Sequence, residues 1–445
     1  MIEILPEKLK NLARACPVPL YVVGGATRDF LAGLASPTRD LDLCAPMDAE
    51  AFVKVAEQKG FSARAVYKNT GTVKLQADGE DFEFTSFRSD EYIRGTHRPV
   101  AVYFTSDIGK DARRRDFKAN AVYYDVASER FVDPLGGIED IRARVLSTVD
   151  APEKVFGEDG LRLLRLARQA GQTGFTPTPE CLQGAIKNAG LIEDIAPERI
   201  YAELKQCLFA DEKYQNERGH YEAICLLERT GVFAKIFPEL SLGKGMTQRK
   251  DFHDYDILEH SLRAVLYAKK DVRLAALLHD VGKPICQIER GHVHEHPEIG
   301  EALTRQILQR LKAPIKTVDE TCALVRFHMY DFDCKTKEGK LRRFFVDHAP
   351  ILPQLLDLKQ ADFSACKDDE SPCPTGEKWR KILADMKREG APLTLRELAV
   401  KGSDLLPLNI PNPQISRVLK ALLRHAVVFP EDNRKERLLF LATRL

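Results

Sequence analysis

The chain has 445 residues, 44% of them hydrophobic and 30% charged, with a formal net charge of +1, the make-up of a soluble globular protein of roughly two to four domains. No apolar run approaches the ~20 residues of a membrane span, and the start, Met1-Ile2-Glu3-Ile4-Leu5-Pro6, lacks the basic flank and apolar stretch of a signal peptide, so a cytoplasmic location with no membrane partner is expected. The balanced charge gives no bulk support for nucleic-acid binding, which needs local basic clusters, and ten scattered cysteines without a C-x-x-C pair read as reduced thiols.

In chain order, Leu20-Tyr21-Val22-Val23 reads as a strand that runs into Gly24-Gly25 and then a helix. Leu41-Asp42-Leu43, Thr72-Val73-Lys74-Leu75, Phe82-Glu83-Phe84 and Ala101-Val102-Tyr103-Phe104 read as further strands of an α+β head, closed by the turn Val132-Asp133-Pro134-Leu135-Gly136-Gly137. The sharpest signal is Gly24-Gly25-Ala26-Thr27-Arg28-Asp29 followed by Arg39-Asp40-Leu41-Asp42-Leu43. Asp40 and Asp42 are two apart on a strand, so both carboxylates face one way and Leu41 and Leu43 the other. Divalent cations offset the repulsion of such a pair, and two of them suit phosphoryl transfer. The glycine pair before a helix admits a phosphate to the backbone, and the helix N-terminus adds amide donors. Arg28, one turn in, can reach the same phosphates. Glu83, flanked by aromatic residues of the opposite strand face, is a third ligand or a base; an exposed amphipathic strand is the plainer reading of both carboxylate segments.

Next, Arg114-Arg115-Asp116-Phe117 offers guanidiniums for a triphosphate and a carboxylate for a ribose hydroxyl. Beyond about residue 146 the pattern turns helical, and 155–170 reads as one amphipathic helix. Within Glu158-Asp159-Gly160-Leu161-Arg162-Leu163-Leu164-Arg165-Leu166-Ala167-Arg168, helical spacing puts Asp159 and Arg162 on neighbouring turns of one face, with Arg165 and Arg168 extending the stripe. An acceptor beside a donor matches the amine and ring nitrogen of cytosine and adenine, and opposes the carbonyls of uracil and guanine. A surface ion pair is the alternative.

Taken together, GGATRD, RDLDL, FEFTSFR, RRDF, DPLGG, EDGLRLLRLAR and PERIYAEL, in this order over about residues 18–210, resemble the class II tRNA nucleotidyltransferases (CCA-adding enzymes) and their relatives the bacterial poly(A) polymerases. The resemblance implies a polymerase-β-like nucleotidyltransferase head, a mixed sheet with helices, followed by all-α neck, body, HD and tail domains. It implies two Mg²⁺ ions at Asp40 and Asp42, with Glu83 as a third acidic position. Gly24, Gly25 and Arg28 would hold the triphosphate, Arg115 and Asp116 the nucleotide, and Asp159 and Arg162 the base edge, with Arg165 and Arg168 completing the site. The implied partners are tRNA, CTP and ATP, and the implied reaction adds C, C and A to the tRNA 3′ end without a template. Residues 88–104 resemble the flexible loop of enzymes that add the final A, which argues against CC-only addition. Two features depart from the pattern: Lys118-Ala119-Asn120-Ala121 follows RRDF, and the gap between the glycine pair and D-x-D is two residues longer than expected. A poly(A) polymerase, an A-adding enzyme, and a hydrolase with a non-catalytic RNA-binding head stay open as alternatives.

Most of the eleven histidines fall between residues 250 and 370. His260, His279-Asp280 and Asp362 follow an H…HD…D order that is similar to HD phosphohydrolases over about 255–365, and neutral imidazoles with carboxylates suit a divalent transition metal. Such a site activates water against phosphate esters; a scaffolding role is the alternative. Gly282-Lys283-Pro284 is expected to stop the helix that carries His279. His296 and His328 are candidates to join the site; His292 and His294 read as exposed loop residues. The polar stretch 367–377 reads as a linker. The expected divisions are a head at 1–145, a neck and body at 146–249, an HD domain at 250–370 and a tRNA-binding helical tail at 371–445. That tail is rich in basic residues from Arg417 to Arg444.

Overall fold

The structure, a computed structural model, describes residues 5–34, 41–92, 100–408 and 410–445. Asp40 and the centre of the 88–104 loop lie outside the described residues. The chain forms two compact units, one of residues 1–241 with 310–312 and the other of 242–309 with 313–445.

In the first unit the strands are β1 (Tyr21–Val23), β2 (Leu41–Ala45), β3 (Ser62–Tyr67), β4 (Thr72–Ala77), β5 (Glu80–Ser86), β6 (Arg88–Glu91), β7 (Ala101–Phe104), β8 (Tyr123–Asp125) and β9 (Arg130–Val132). Seven of them make one mixed sheet in the order β3-β4-β5-β2-β1-β8-β9. Its pairings are antiparallel except β2 with β5, which run parallel and set Asp42 beside Glu83. Strand alternation explains the faces. Leu41, Leu43, Phe82 and Phe84 are buried in the core with Leu9, Leu12, Val22 and Phe52, while Asp42 and Glu83 are exposed. Phe84 stacks on Phe52, ring centroids 3.6 Å apart, and each such ring contributes roughly 1.5–3 kcal/mol by leaving water. The strand expected at 101–104 forms, but it pairs only with β6 in a separate two-stranded ribbon. The head is thus a seven-stranded sheet plus a separate two-stranded ribbon.

The helix after β1, Gly25–Ala32, starts from Gly24 at φ +85°, a left-handed region open to glycine. Thr27 ties it to the sheet by donating to Val122 O at 2.9 Å.

The single helix expected at 155–170 is two: Pro152–Glu158 and Leu161–Thr173. Asp159 lies between them in an extended conformation. Gly160 is packed so closely that a Cβ there would stand 2.6 Å from Leu191 O. The apolar periodicity runs through the break, which is why spacing alone joins the two helices. Pro197–Leu208, Ala210–Tyr214 and Gly219–Arg229 pack on Leu161–Thr173.

The second unit is helical. Ile257–Tyr267, Arg273–Leu278, Ile315–Phe327 and Leu352–Lys367 pack around Ala264, Ala276, Leu355 and Leu358. The helix that leads into the histidine–aspartate dyad ends at Leu278, and Gly282-Lys283-Pro284 opens the next helix, Gly282–Arg290, instead of closing the last; proline is tolerated in a first turn, where its missing N–H costs no helical bond. The stretch read as a linker is a turn at 368–373 between two helices of one core. Its second half begins the helix Pro374–Glu389, whose Trp379 is buried against Tyr330 and Phe344. A further cluster, Leu398, Val400, Leu405, Leu422 and Leu438, holds the last helices together. Among their basic residues, Arg424 pairs with Asp347, Lys435 with Asp404 and Arg437 with Asp432. None of the ten cysteines is in a disulfide. Among the described residues no helix is long and apolar enough to cross a membrane.

Candidate functional site

Within the first unit a cleft of about 1150 Å³ opens between the sheet and the helices that follow it. Asp42 and Glu83 line one side, brought together by the β2–β5 register. Gly24 passes so near that a Cβ there would lie 2.9 Å from Asp42 Oδ2. The exposed carboxylates and the close glycine turn form a donor set that suits a hard cation between carboxylates and phosphate oxygens. Of the two aspartates predicted from D-x-D, only Asp42 can be placed, since Asp40 lies outside the described residues.

The opposite side is basic. Arg115 donates to Asp111 Oδ2 at 3.1 Å and to Tyr123 Oη at 3.2 Å, and Arg114 donates to Asp111 Oδ1 at 2.8 Å. Burial would raise the Asp111 pKa, but the two guanidiniums outweigh it and hold the carboxyl at about 2. Asp116 accepts from Arg165 at 2.6 Å, Asn120 at 3.1 Å and its neighbour's amide, Phe117 N, at 2.8 Å. Burial opposes its ionisation as well, and Arg165 with Asn120 reverses the sign, leaving Asp116 well below the usual carboxylate range. Both acids are therefore anions that fix arginines in place.

Arg28 is the deepest of the predicted phosphate ligands, only 4% exposed. Its guanidinium donates to Asp29, Asn120, Gln169 and Tyr214 at 2.6–3.2 Å, so it ties the glycine-turn helix to Leu161–Thr173. Asp159 sits at the helix break, accepts from Leu161 N at 3.0 Å and stands 4.0 Å from Arg199. The neighbouring-turn pairing expected of Asp159 and Arg162 on one continuous helix does not form, because Asp159 is outside the helix. Arg162 donates to Val155 O at 2.8 Å, Glu158 at 2.8 Å and Arg114 O at 2.7 Å, and lies over the Tyr92 ring. Arg168 pairs with Glu203 at 2.7 Å. Arg165 keeps 38% of its side chain exposed at the cleft. Gly25, Asp42, Glu83, Arg115, Asp116, Asp159, Arg162, Arg165 and Arg168 all line this one cleft. Asp111, Asn120, Gln169 and Tyr214, which orient them, went unread in the sequence. They come from four separate segments with no shared spacing.

The second unit gathers the histidines. His260 Nε2 stands 3.1 Å from His279 Nε2 and 3.1 Å from Asp362 Oδ1, and His279 Nε2 is 3.3 Å from Asp280 Oδ2. The four predicted ligands thus converge, and His260, His279 and Asp280 are fully buried. Burial pulls His279 down, but Asp280 and Asp362 outweigh it and raise its pKa to about 10; the centre draws positive charge. His296 and His328 lie on the far side of Asp280, at 3.3 and 3.6 Å from its Oδ1. Lys283 Nζ, read in the sequence only as part of a helix stop, is 2.6 Å from Asp280 Oδ2, and His253 stacks edge-on against His260. His292 and His294 are exposed.

Known proteins are similar to this chain over both units. Residues 20–147 match the poly A polymerase head domain, 174–242 the probable RNA- and SrmB-binding site of polymerase A, and 257–363 the HD domain. An A-adding tRNA nucleotidyltransferase of Deinococcus radiodurans is 32% identical, with 92% of this chain and 93% of that protein aligned. A CCA-adding enzyme of Anoxybacillus flavithermus is 34% identical over 94% of this chain and 91% of its own. The crystal structure of the Bacillus stearothermophilus CCA-adding enzyme in complex with CTP is 26% identical and superimposes with a TM-score of 0.69, covering 98% of this chain and 96% of that one.

Proposed function

The chain belongs to the class II tRNA nucleotidyltransferases, the family of CCA-adding enzymes, and from that premise we propose that its cleft completes the 3′ end of tRNA with C, C and A. The substrates are tRNA, CTP and ATP, and the sequence of the product is set by amino-acid side chains instead of a nucleic-acid template. The observation that carries this reading is the single cleft in which Asp42 and Glu83 stand side by side opposite Asp159 and a set of arginines.

As in the rest of the family, the head works with a divalent metal. Asp40 and Asp42 would hold two Mg²⁺ ions, with Glu83 beside them, and the metal supplies charge stabilisation for the attacking hydroxyl and the departing pyrophosphate. Gly24 and Gly25 admit the triphosphate to the backbone and to the helix N-terminus. Arg165 and Arg115 face it with fixed positive charge, so no reorganisation is needed when charge develops. Arg28 acts from behind by holding Asn120 and Gln169, and through them Asp116. Asp159 accepts from the exocyclic amine of cytosine or adenine. Arg162 contributes the donor by exchanging one of its present carbonyl or carboxylate partners for the base, which also excludes a base that lacks the matching acceptor.

In the second unit His260, His279, Asp280 and Asp362 would hold a divalent transition metal, a mixed imidazole and carboxylate set that suits Mn, Fe, Co, Ni or Zn. The pull of Asp280 and Asp362 on positive charge supports this. A metal there supplies activated water for phosphate-ester hydrolysis.

The test is single-nucleotide product analysis with purified protein, Mg²⁺, CTP, ATP and tRNAs ending before CCA, after C and after CC. Completion of all three to CCA, and nothing longer, is expected. Extension of the CC end alone would make it an A-adding enzyme, and a long adenylate tract a poly(A) polymerase; either overturns the CCA reading.

A further inference from the structure

The cations of the cleft fall into two groups. On its helical side Arg115, Arg162, Arg165 and Arg168 are each paired with a carboxylate. On the sheet, Arg64 of β3 and Lys74 of β4 line the same cleft and are exposed. Among the described residues no carboxylate pairs with either of them.

Strand pairing fixes where these two stand. Asp42, Glu83 and Lys74 are direct partners across β2, β5 and β4, so they form one row at the ~4.8 Å spacing of neighbouring strands. Lys74 shares the exposed face because Val73 and Leu75 on either side of it are buried in the core. Arg64 is the extra residue of a bulge between Ala63 and Ala65, a device that re-aims a side chain. It donates to Gln76 Oε1, two residues along β4 from Lys74 and on the same face. Gln76 in turn donates to Asp81 at 3.1 Å, so a neutral amide stands between the guanidinium and that acid.

The sheet order then assigns directions. In β3-β4-β5-β2-β1 the glycine turn follows β1 on one side, the carboxylates of β2 and β5 lie in the middle, and Lys74 and Arg64 lie on the other side. Nucleotidyl transfer runs in line, with the attacking hydroxyl and the departing pyrophosphate on opposite sides of the α-phosphorus. With the triphosphate at the glycine turn, the pyrophosphate leaves on the β1 side and the hydroxyl arrives from the β5 and β4 side. The phosphate that joins the last nucleotide to the rest of the RNA follows one strand further out. Cations free of acids are suited to that phosphate, since contacts to a nucleic-acid backbone position the strand.

We propose that Lys74 and Arg64 form the acceptor-strand site: they bind the last phosphodiester of the RNA and set its 3′-hydroxyl against Asp42 and Glu83. This rests on the reading of the cleft as a transferase centre and names the RNA side of it. The two substrates are then held by separate groups. The nucleotide can change from CTP to ATP while the RNA contact, which meets a phosphate and no base, stays the same at all three additions.

The test is steady-state kinetics of the full chain on tRNA ending before CCA, comparing the parent with Lys74→Gln/Arg64→Gln. The KM for tRNA should rise roughly 10-fold or more, the worth of a lost charge-assisted contact, while the KM for CTP stays unchanged. The slope of log KM for tRNA against log salt should become shallower by about 0.7, the share of one phosphate on a single strand. A second tRNA carries a neutral methylphosphonate at its last linkage, and both tRNAs have a 2′-deoxyribose on the penultimate nucleotide to keep that linkage stable. The methylphosphonate should weaken the parent by the same factor as the two exchanges do, and should weaken the variant no further. Losses that multiply, an unchanged KM for tRNA, or an equal rise in the KM for CTP would each overturn the assignment. No incorporation by the parent would overturn the transferase reading and this site with it. The exposed single exchange Lys74→Gln is read in the same way, so the outcome does not hang on the folding of the double variant.

Discussion

The cleft of the first unit and the histidine centre of the second use the same chemistry in opposite surroundings. Asp42 and Glu83 stand exposed on strand faces, while Asp280 is fully buried beneath imidazoles. An exposed carboxylate pair keeps most of its hydration, so its charge costs the fold little. A buried aspartate is destabilising until its charge is met, and here the Lys283 ammonium stands 2.6 Å from it. The arginines follow the same division. Around the cleft they are fixed by Asp111, Asp116, Glu158 and Glu203, so that the reacting end of the molecule is rigid in its charges and open in its carboxylates.

The largest effect that separates the two regions is expected from Asp42→Asn. Transfer should fall by roughly 10³-fold or more, a typical loss when a group that stabilises transition-state charge is removed, while the melting temperature moves by no more than about 2 °C because the site is exposed. A matching loss of stability would make Asp42 a structural residue and erase the contrast. Asp280→Asn should behave the other way in chelator-treated protein. It leaves the buried Lys283 ammonium without its counter-charge, a change that costs about 3 kcal/mol for buried pairs, read by denaturant unfolding. An unchanged midpoint would mean that water reaches the pair and that burial is not what distinguishes the two sites. The smallest effect is expected at the helix break. Asp159→Ala should relax the preference for C and A over U and G by roughly 10-fold, the worth of one hydrogen bond in discrimination, measured as kcat/KM ratios over the four nucleotides. Equal ratios in variant and parent would move base reading to another residue of the cleft.

How far the sequence could be read depended on whether a feature is local. The faces of β2 and β5 follow from alternation, Leu41 and Leu43 against Asp42, Phe82 and Phe84 against Glu83. Their parallel pairing does not, because it joins segments separated by a helix and two other strands. The dyad His279-Asp280 could be found from order and spacing, but Lys283 was read as part of a helix stop, although Gly-Lys-Pro serves equally to open a helix. Pro374 misled in the same way: turn formers at 368–373 end one helix, and proline at the next helix's first turn begins another within the same core. The glycine at 160 lay in plain view inside an apolar rhythm. The break comes at Asp159, in an extended conformation, and the approach of Leu191 O, which leaves no room for a side chain at 160, is a tertiary contact with no local trace. For Arg28 the residue was legible and its surroundings were not, since Asn120, Gln169 and Tyr214 lie 92 to 186 residues away.

The parallel union of β2 with β5 also has a consequence in time. During synthesis Asp42 emerges about 40 residues before Glu83, on the order of seconds at the usual pace of elongation. In that interval the meander of β3, β4 and β5 has to form and swing β5 back against β2, a non-local closure that lags behind hairpin formation. Until it does, the nascent head has one acidic strand and no neighbour to complete it. The two carboxylates therefore meet only once the strands between them have been made.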